Sequence, residues 1–189
     1  MSNTKKAAAA GIIGEAVYFL SMTLFLASQA EWALTLWEIM SVAGAVLILV
    51  VLAVVTENMK SLCRTLMLIA ASGTIFITAI AHITSIGAVR RLAAQGEPIP
   101  DYFKIGKFPS IEMSLDYTAW GLFMGLAFLC LFLGTKTKRL KVLSMICTLL
   151  CFSGFVGSFF SENLWYPAPM GYGFGFLVMC IFWLKGDTV

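Results

Sequence analysis

Charge is scarce in this sequence and histidine is almost absent. Asp, Glu, Lys and Arg make up 12% of the 189 residues and there is one histidine, whereas a soluble globular chain carries about a quarter charged residues. So little polar material cannot coat a water-facing globule. With His82 alone, haem ligation by two imidazoles is excluded, and no HExxH run or Cys/His cluster offers a zinc site, so neither metal nor cofactor is expected. The five cysteines include no CxxC, which leaves thiol-disulfide chemistry without a motif. P-loop, GxGxxG and GxSxG patterns are missing too, removing the usual basis for nucleotide chemistry or a serine nucleophile. The net charge is only +3, so nucleic acid is not an expected partner.

What is present is apolar. Hydrophobic residues make up 60% of the chain and the mean hydropathy is +0.90. A helix needs roughly 20 apolar residues to cross a hydrocarbon core of about 30 Å. Counting predicts an all-α, polytopic bundle of about six transmembrane helices, a single transmembrane domain over 1–189. The spans are Ala7–Leu26, Leu34–Val55, Leu66–Val89, Tyr117–Thr135, Val142–Phe160 and Pro167–Leu184. Lys5 and Lys6 ahead of a run ending in Ser28-Gln29-Ala30 also fit a signal peptide. That run, however, exceeds the usual apolar region of roughly 7–15 residues and contains Glu15, so a retained span is expected. The longest connection, 90–116, holds Pro98-Ile99-Pro100 and Pro109, which push the preceding residues out of the helical region.

Basic residues collect in cytoplasmic loops. With the N-terminus inside, nine of them (Lys5, Lys6, Lys60, Arg64, Lys136, Lys138, Arg139, Lys141 and Lys185) are cytoplasmic against four outside (Arg90, Arg91, Lys104 and Lys107). Both termini are therefore expected in the cytoplasm, in the plasma (cytoplasmic) membrane, with loop 90–116 external. Trp32, Trp37, Trp165 and Tyr166 then lie at the outer interface, where amphipathic rings settle. None of Cys63, Cys130, Cys147, Cys151 and Cys180 falls in an external loop, so no structural disulfide is expected.

Function in such chains is read from ionisable groups inside the bilayer, because they are costly there and need partners. Glu38, His82, Asp116 and Glu162 come from different spans yet fall at similar depth in the outer third. The catalytic candidates are His82, Asp116 and Glu38, since a histidine beside carboxylates suits proton transfer. If the fourth helix begins near Ile111, then Glu112, Asp116 and Trp120 share one face at i, i+4, i+8. Trp120, Glu112, Glu162, Asn163, Trp165, Tyr166 and Arg90 are candidates for contacting a ligand. The plainer alternative is that Glu112, Asp116 and Glu162 only meet headgroups, that His82 bonds a neighbouring helix, and that Tyr18 or Ser21 satisfies Glu15.

Gly121 and Gly125 form a GxxxG, and Gly171, Gly173 and Gly175 recur in the last span, allowing close helix approach within the chain or in a homodimer. Thr56-Glu57-Asn58-Met59 resembles Ser161-Glu162-Asn163-Leu164 at an offset of 105, as an inverted repeat of three helices would require. Three readings stay open. One is a membrane-embedded enzyme doing acid-base chemistry, an isomerisation or cyclisation, on a lipid-soluble substrate. The second is a small proton-coupled transporter. The third is a non-catalytic ligand-binding or accessory subunit. Membrane lipids and a hydrophobic or amphipathic small molecule are the expected partners.

Overall fold

The computed structural model describes residues 1–187 and 189, and among them there is helix and loop but no strand. Six helices are long and apolar enough to span a membrane: α1 Asn3–Ser28, α2 Glu31–Val55, α3 Ser61–Ala94, α4 Ile111–Gly134, α5 Lys138–Gly157 and α6 Glu162–Lys185. Six spans return the chain to its starting side. One end of the bundle, the terminal face, carries both termini, and the other, the loop face, carries the 95–110 connection.

Four boundaries depart most from the sequence expectation, one of them the start of α3, at Ser61 instead of Leu66. Helix α3 runs on past Val89 to Ala94, α4 starts at Ile111 instead of Tyr117, and α6 starts at Glu162 instead of Pro167. In each case charged residues or prolines had suggested a loop. Arg90, Glu112 and Asp116 are instead taken into the bundle, while Arg91 stays exposed, and Pro167 and Pro169 sit in an early turn of α6, where a missing N–H costs little. The connection is correspondingly shorter than 90–116.

Helices α1 and α3 turn mostly small and polar residues inward and large apolar residues outward, while α4 and α6 supply large buried side chains such as Phe128, Phe176 and Trp183. On α3, Met67, Ala70, Ala71, Thr74, Thr78, Ala81 and His82 are buried, at helical spacing. Ile69, Phe76, Ile80 and Ile83 of the same helix are all more than half exposed. Lipid is the solvent that suits such a surface.

The helices form a closed ring. Each packs on its successor, and α6 closes on α1 through its terminal-face half, Phe176–Lys185. Between α4 and α5 the backbones approach closely: a Cβ on Gly121 would lie 2.7 Å from that of Phe155, and one on Gly125 2.6 Å from the Phe152 ring. The GxxxG is thus used within the chain. Gly171 likewise seats α6 on the Cys147 carbonyl. The sulfurs of Cys147, Cys151 and Cys180 are buried and all five cysteines are free.

Three helices contain a π-helical turn: Ser85–Val89 in α3, Thr118–Phe123 in α4 and Met170–Gly175 in α6. A π turn takes up one extra residue and re-aims whatever follows it. In α4 the Ala119 carbonyl inside the turn also accepts a bond from the Thr74 hydroxyl of α3, at 3.1 Å. Nothing in the residue pattern had indicated these turns.

Candidate functional site

Four ionisable side chains from three helices form a chain near the loop face. Glu38 lies two turns into α2, on the inward stripe continued by Ser41, Ala45 and Ile48, and is completely buried. Its Oε2 accepts a hydrogen bond from the Arg90 guanidinium, and its Oε1 is 3.9 Å from His82 Nδ1, an ion-pair distance too long for a hydrogen bond. On the other side of the imidazole, Nε2 is 3.4 Å from Asp116 Oδ1 of α4. The order is therefore Arg90, Glu38, His82, Asp116.

Two local features set this order. Arg90 Nη1 donates to the Thr35 hydroxyl at 2.9 Å and to the Glu31 carbonyl at 3.4 Å, so the guanidinium is held along the first turns of α2. The π turn supplies the second. His82 and Arg90 are eight residues apart, which in a regular α-helix puts them about 80° apart around the axis. The extra residue in Ser85–Val89 reduces this to about 20°, so both side chains meet α2.

Glu112, capped into α4 by Ser110, whose hydroxyl accepts from the Met113 N–H at 3.1 Å, is 2% exposed. Its carboxyl lies within electrostatic range of Glu38, His82 and Arg90. Its oxygens, both imidazole nitrogens, Glu38 Oε1 and Asp116 Oδ1 are all occluded and make no hydrogen bond of good geometry. Buried polar groups are ordinarily satisfied, so unmet hydrogen-bonding capacity is concentrated in this layer.

Asp116 is the member that reaches the interior chamber. A chamber of about 400 Å³ lies inside the ring, walled by α1, α2, α4 and α6, and ten of its nineteen lining residues are aromatic. Trp120 and Tyr172 pack with centroids 4.7 Å apart, Tyr117 and Trp165 at 4.4 Å, and Trp37 stacks on Phe25 at 5.6 Å. The Trp37 and His82 rings meet edge-to-face with centroids 6.5 Å apart. The π turns of α4 and α6 carry Trp120 and Tyr172 into the chamber. Between α1 and α6 the wall is thin. Leu26 and Tyr166 line the chamber there and are 61% and 62% exposed, while Phe19 and Phe174, stacked at 4.8 Å, form the sill beneath.

The structure thus brings His82, Asp116, Glu38, Arg90 and Glu112 together, and sets Trp120, Trp165, Tyr166 and Glu162 on the chamber. Of this second group only Glu162 and Tyr166 are exposed, at the rim. Asn163 is not brought in: it is exposed, and its backbone N–H is capped by Ser161 Oγ at 3.3 Å. Arg90 is turned away from the chamber to Glu38 and does not line it, and Arg91 is exposed. Sequence reasoning had missed Tyr18, Phe25, Tyr117 and Tyr172 as lining residues. A signal existed on α1, where Tyr18, Met22, Phe25 and Gln29 recur at helical spacing. No group of three or more His, Cys, Asp or Glu poised to hold a metal ion occurs among the described residues.

A bundle of six membrane-length apolar helices around a chamber with one interior carboxylate is compatible with a multi-pass membrane protein. No family model, curated protein or solved structure matches the chain.

Proposed function

We propose that the protein is a membrane-embedded enzyme that exchanges protons with a lipid-soluble substrate, in an isomerisation or cyclisation. The observation that carries this reading is that Asp116 joins the aromatic chamber to the buried Glu38–His82 pair. Asp116 is placed to give a proton to, or take one from, a ligand in the chamber. His82 sits behind it to restore or accept that proton, its other nitrogen facing Glu38. Arg90 anchors Glu38 and so fixes the imidazole's far side. Distances of 3.4 and 3.9 Å are long for proton transfer, but catalytic hydrogen bonds commonly tighten when substrate binds. The thin wall beside Leu26 and Tyr166 is a route by which a lipid-borne molecule enters sideways.

The test uses protein in nanodiscs made from the host membrane. Co-purifying small molecules are identified by mass spectrometry, then incubated with the protein in D₂O. Deuterium appearing on carbon in the ligand, and lost in Asp116→Asn, is the expected result. A ligand that binds and is recovered unlabelled and unchanged would leave a binding subunit without turnover.

A second reading, a proton-coupled transporter built on a 3+3 inverted repeat, is favoured by one observation. The similar segments 56–59 and 161–164 close the same backbone turn, Met59 N–H to the Thr56 carbonyl and Leu164 N–H to the Ser161 carbonyl, at opposite faces. Proton uptake into proteoliposomes driven by a ligand gradient would favour it over the enzyme.

A further inference from the structure

The chamber walls have a sign. Asp116 and Glu162 are the ionisable carboxylates among the lining residues, and no Lys, Arg or His lines the chamber at all, since Arg90 and His82 are held behind it by Glu38 and Asp116. Asp116 Oδ1 is turned to His82 and occluded, so the 17% exposure left to this side chain belongs to the rest of the group, beside the chamber. The remaining wall is mostly ring faces and edges. Tyr117, 3% exposed and a lining residue, leaves its hydroxyl buried without a partner. An aromatic ring presents negative potential on its face, so several rings about one volume attract positive charge, best when water is excluded.

We infer that the chamber takes the positively charged centre of a lipophilic molecule, held between the Trp120, Trp165 and Tyr172 rings with Asp116 as counter-charge and the alkyl part running out past Leu26 and Tyr166 into lipid. This rests on the reading above and narrows its substrate class. The charge has two sources: an ammonium group carried by the ligand, or a carbocation made in place. In the second case the Asp116 carboxyl gives its proton to a carbon–carbon double bond, whose π electrons form the new C–H bond and leave the neighbouring carbon positive. Loss of a proton from an adjacent carbon to the carboxylate then restores both a double bond and the acid, with no oxidant or reductant consumed.

The probes are dodecyltrimethylammonium and its uncharged carbon isostere, in which a tert-butyl group replaces the trimethylammonium head. Binding is read by tryptophan fluorescence against empty nanodiscs. Expected is a preference of roughly tenfold or more for the cation, reduced several-fold in both Trp120→Leu and Asp116→Asn. Because Trp120→Leu risks misfolding, Tyr172→Leu and thermal unfolding accompany it. Equal binding of cation and isostere overturns the inference while leaving the chamber a ligand site. Binding of neither overturns the chamber as a site altogether. If the cation is preferred, a native extract containing an amine assigns the charge to the ligand. A neutral polyene that gains deuterium in D₂O assigns it to protonation.

Discussion

His82 and Arg90 stand eight residues apart on α3, and both face Glu38 of α2, from its two carboxylate oxygens. The π turn between them makes this possible. It also means that Glu38, fully buried, depends on Arg90 as its hydrogen-bonding cation. Removing one partner of a buried pair leaves an uncompensated charge.

Arg90→Met is therefore expected to destabilise the protein by on the order of 3 kcal/mol. The double variant Arg90→Met with Glu38→Gln should recover much of that loss, because no unpaired charge is left. Unfolding of the four proteins of this cycle in mild detergent measures the coupling. A double variant no more stable than Arg90→Met would show that Arg90 acts through something other than Glu38.

Close packing between α5 and α6 yields an opposed pair of outcomes for one substitution type. A Cβ on Gly154 would lie 2.6 Å from the Trp165 carbonyl oxygen and 2.7 Å from the Ala168 nitrogen, both backbone atoms that cannot swing aside. Gly154→Ala should cost roughly 1–3 kcal/mol by overpacking. Gly44 has nothing within 4 Å of its absent Cβ. Gly44→Ala should stabilise α2 by about 0.5–1 kcal/mol through lost flexibility of the unfolded chain. Melting temperatures of the two variants moving in the same direction would contradict this account.

In the loop, Lys104 Nζ lies 2.8 Å from Asp101 Oδ1, and this bond and charge hold the Asp101 carboxyl below its ordinary value of 3.8. A depressed folded value means that the pair's contribution is present above about pH 4 and fades as pH falls through the lower, folded value. The pair is exposed, so salt should weaken it. NMR titration of Asp101 in low and high salt checks this: the titration point is expected to move up with salt, and in Lys104→Met as well.

The distribution of basic residues predicts which face is which. A cysteine placed at Tyr102, exposed in the connection at the loop face, should react with a membrane-impermeant maleimide added outside intact cells. One placed at Lys138, on the terminal face, should react only after the membrane is opened. The reverse pattern would invert the bundle and put Arg90 at the cytoplasmic side.

How far the sequence speaks differs between spans and site. The six spans were legible because lipid imposes a composition on every turn of a crossing helix. Their ends were less so: Glu112 and Asp116 look like the polar flank of a helix beginning at Tyr117, yet they lie within α4, Glu112 buried and Asp116 mostly so. That Glu38, His82 and Asp116 share a depth could be counted along the sequence. That Arg90 joins them could not, because its azimuth depends on a π turn with no residue signature. The chamber was half visible: Trp120, Trp165 and Tyr166 were named, but Tyr172 is carried in by another such turn.

Ring closure has a consequence for how the molecule is made. The groups of the Arg90–Glu38–His82–Asp116 chain all lie within residues 31–116, on α2, α3 and the first turns of α4. The contacts that seal the circle, α1 against Phe176–Lys185, involve the helix that comes after the other five in chain order. During biosynthesis, when earlier segments leave the ribosome first, the proton-handling groups are thus in the membrane before the compartment they serve has its fourth wall. Whatever the chamber holds can be enclosed as α6 arrives, so a nascent chain stalled before Glu162 lacks the α6 wall and leaves the chamber open on that side.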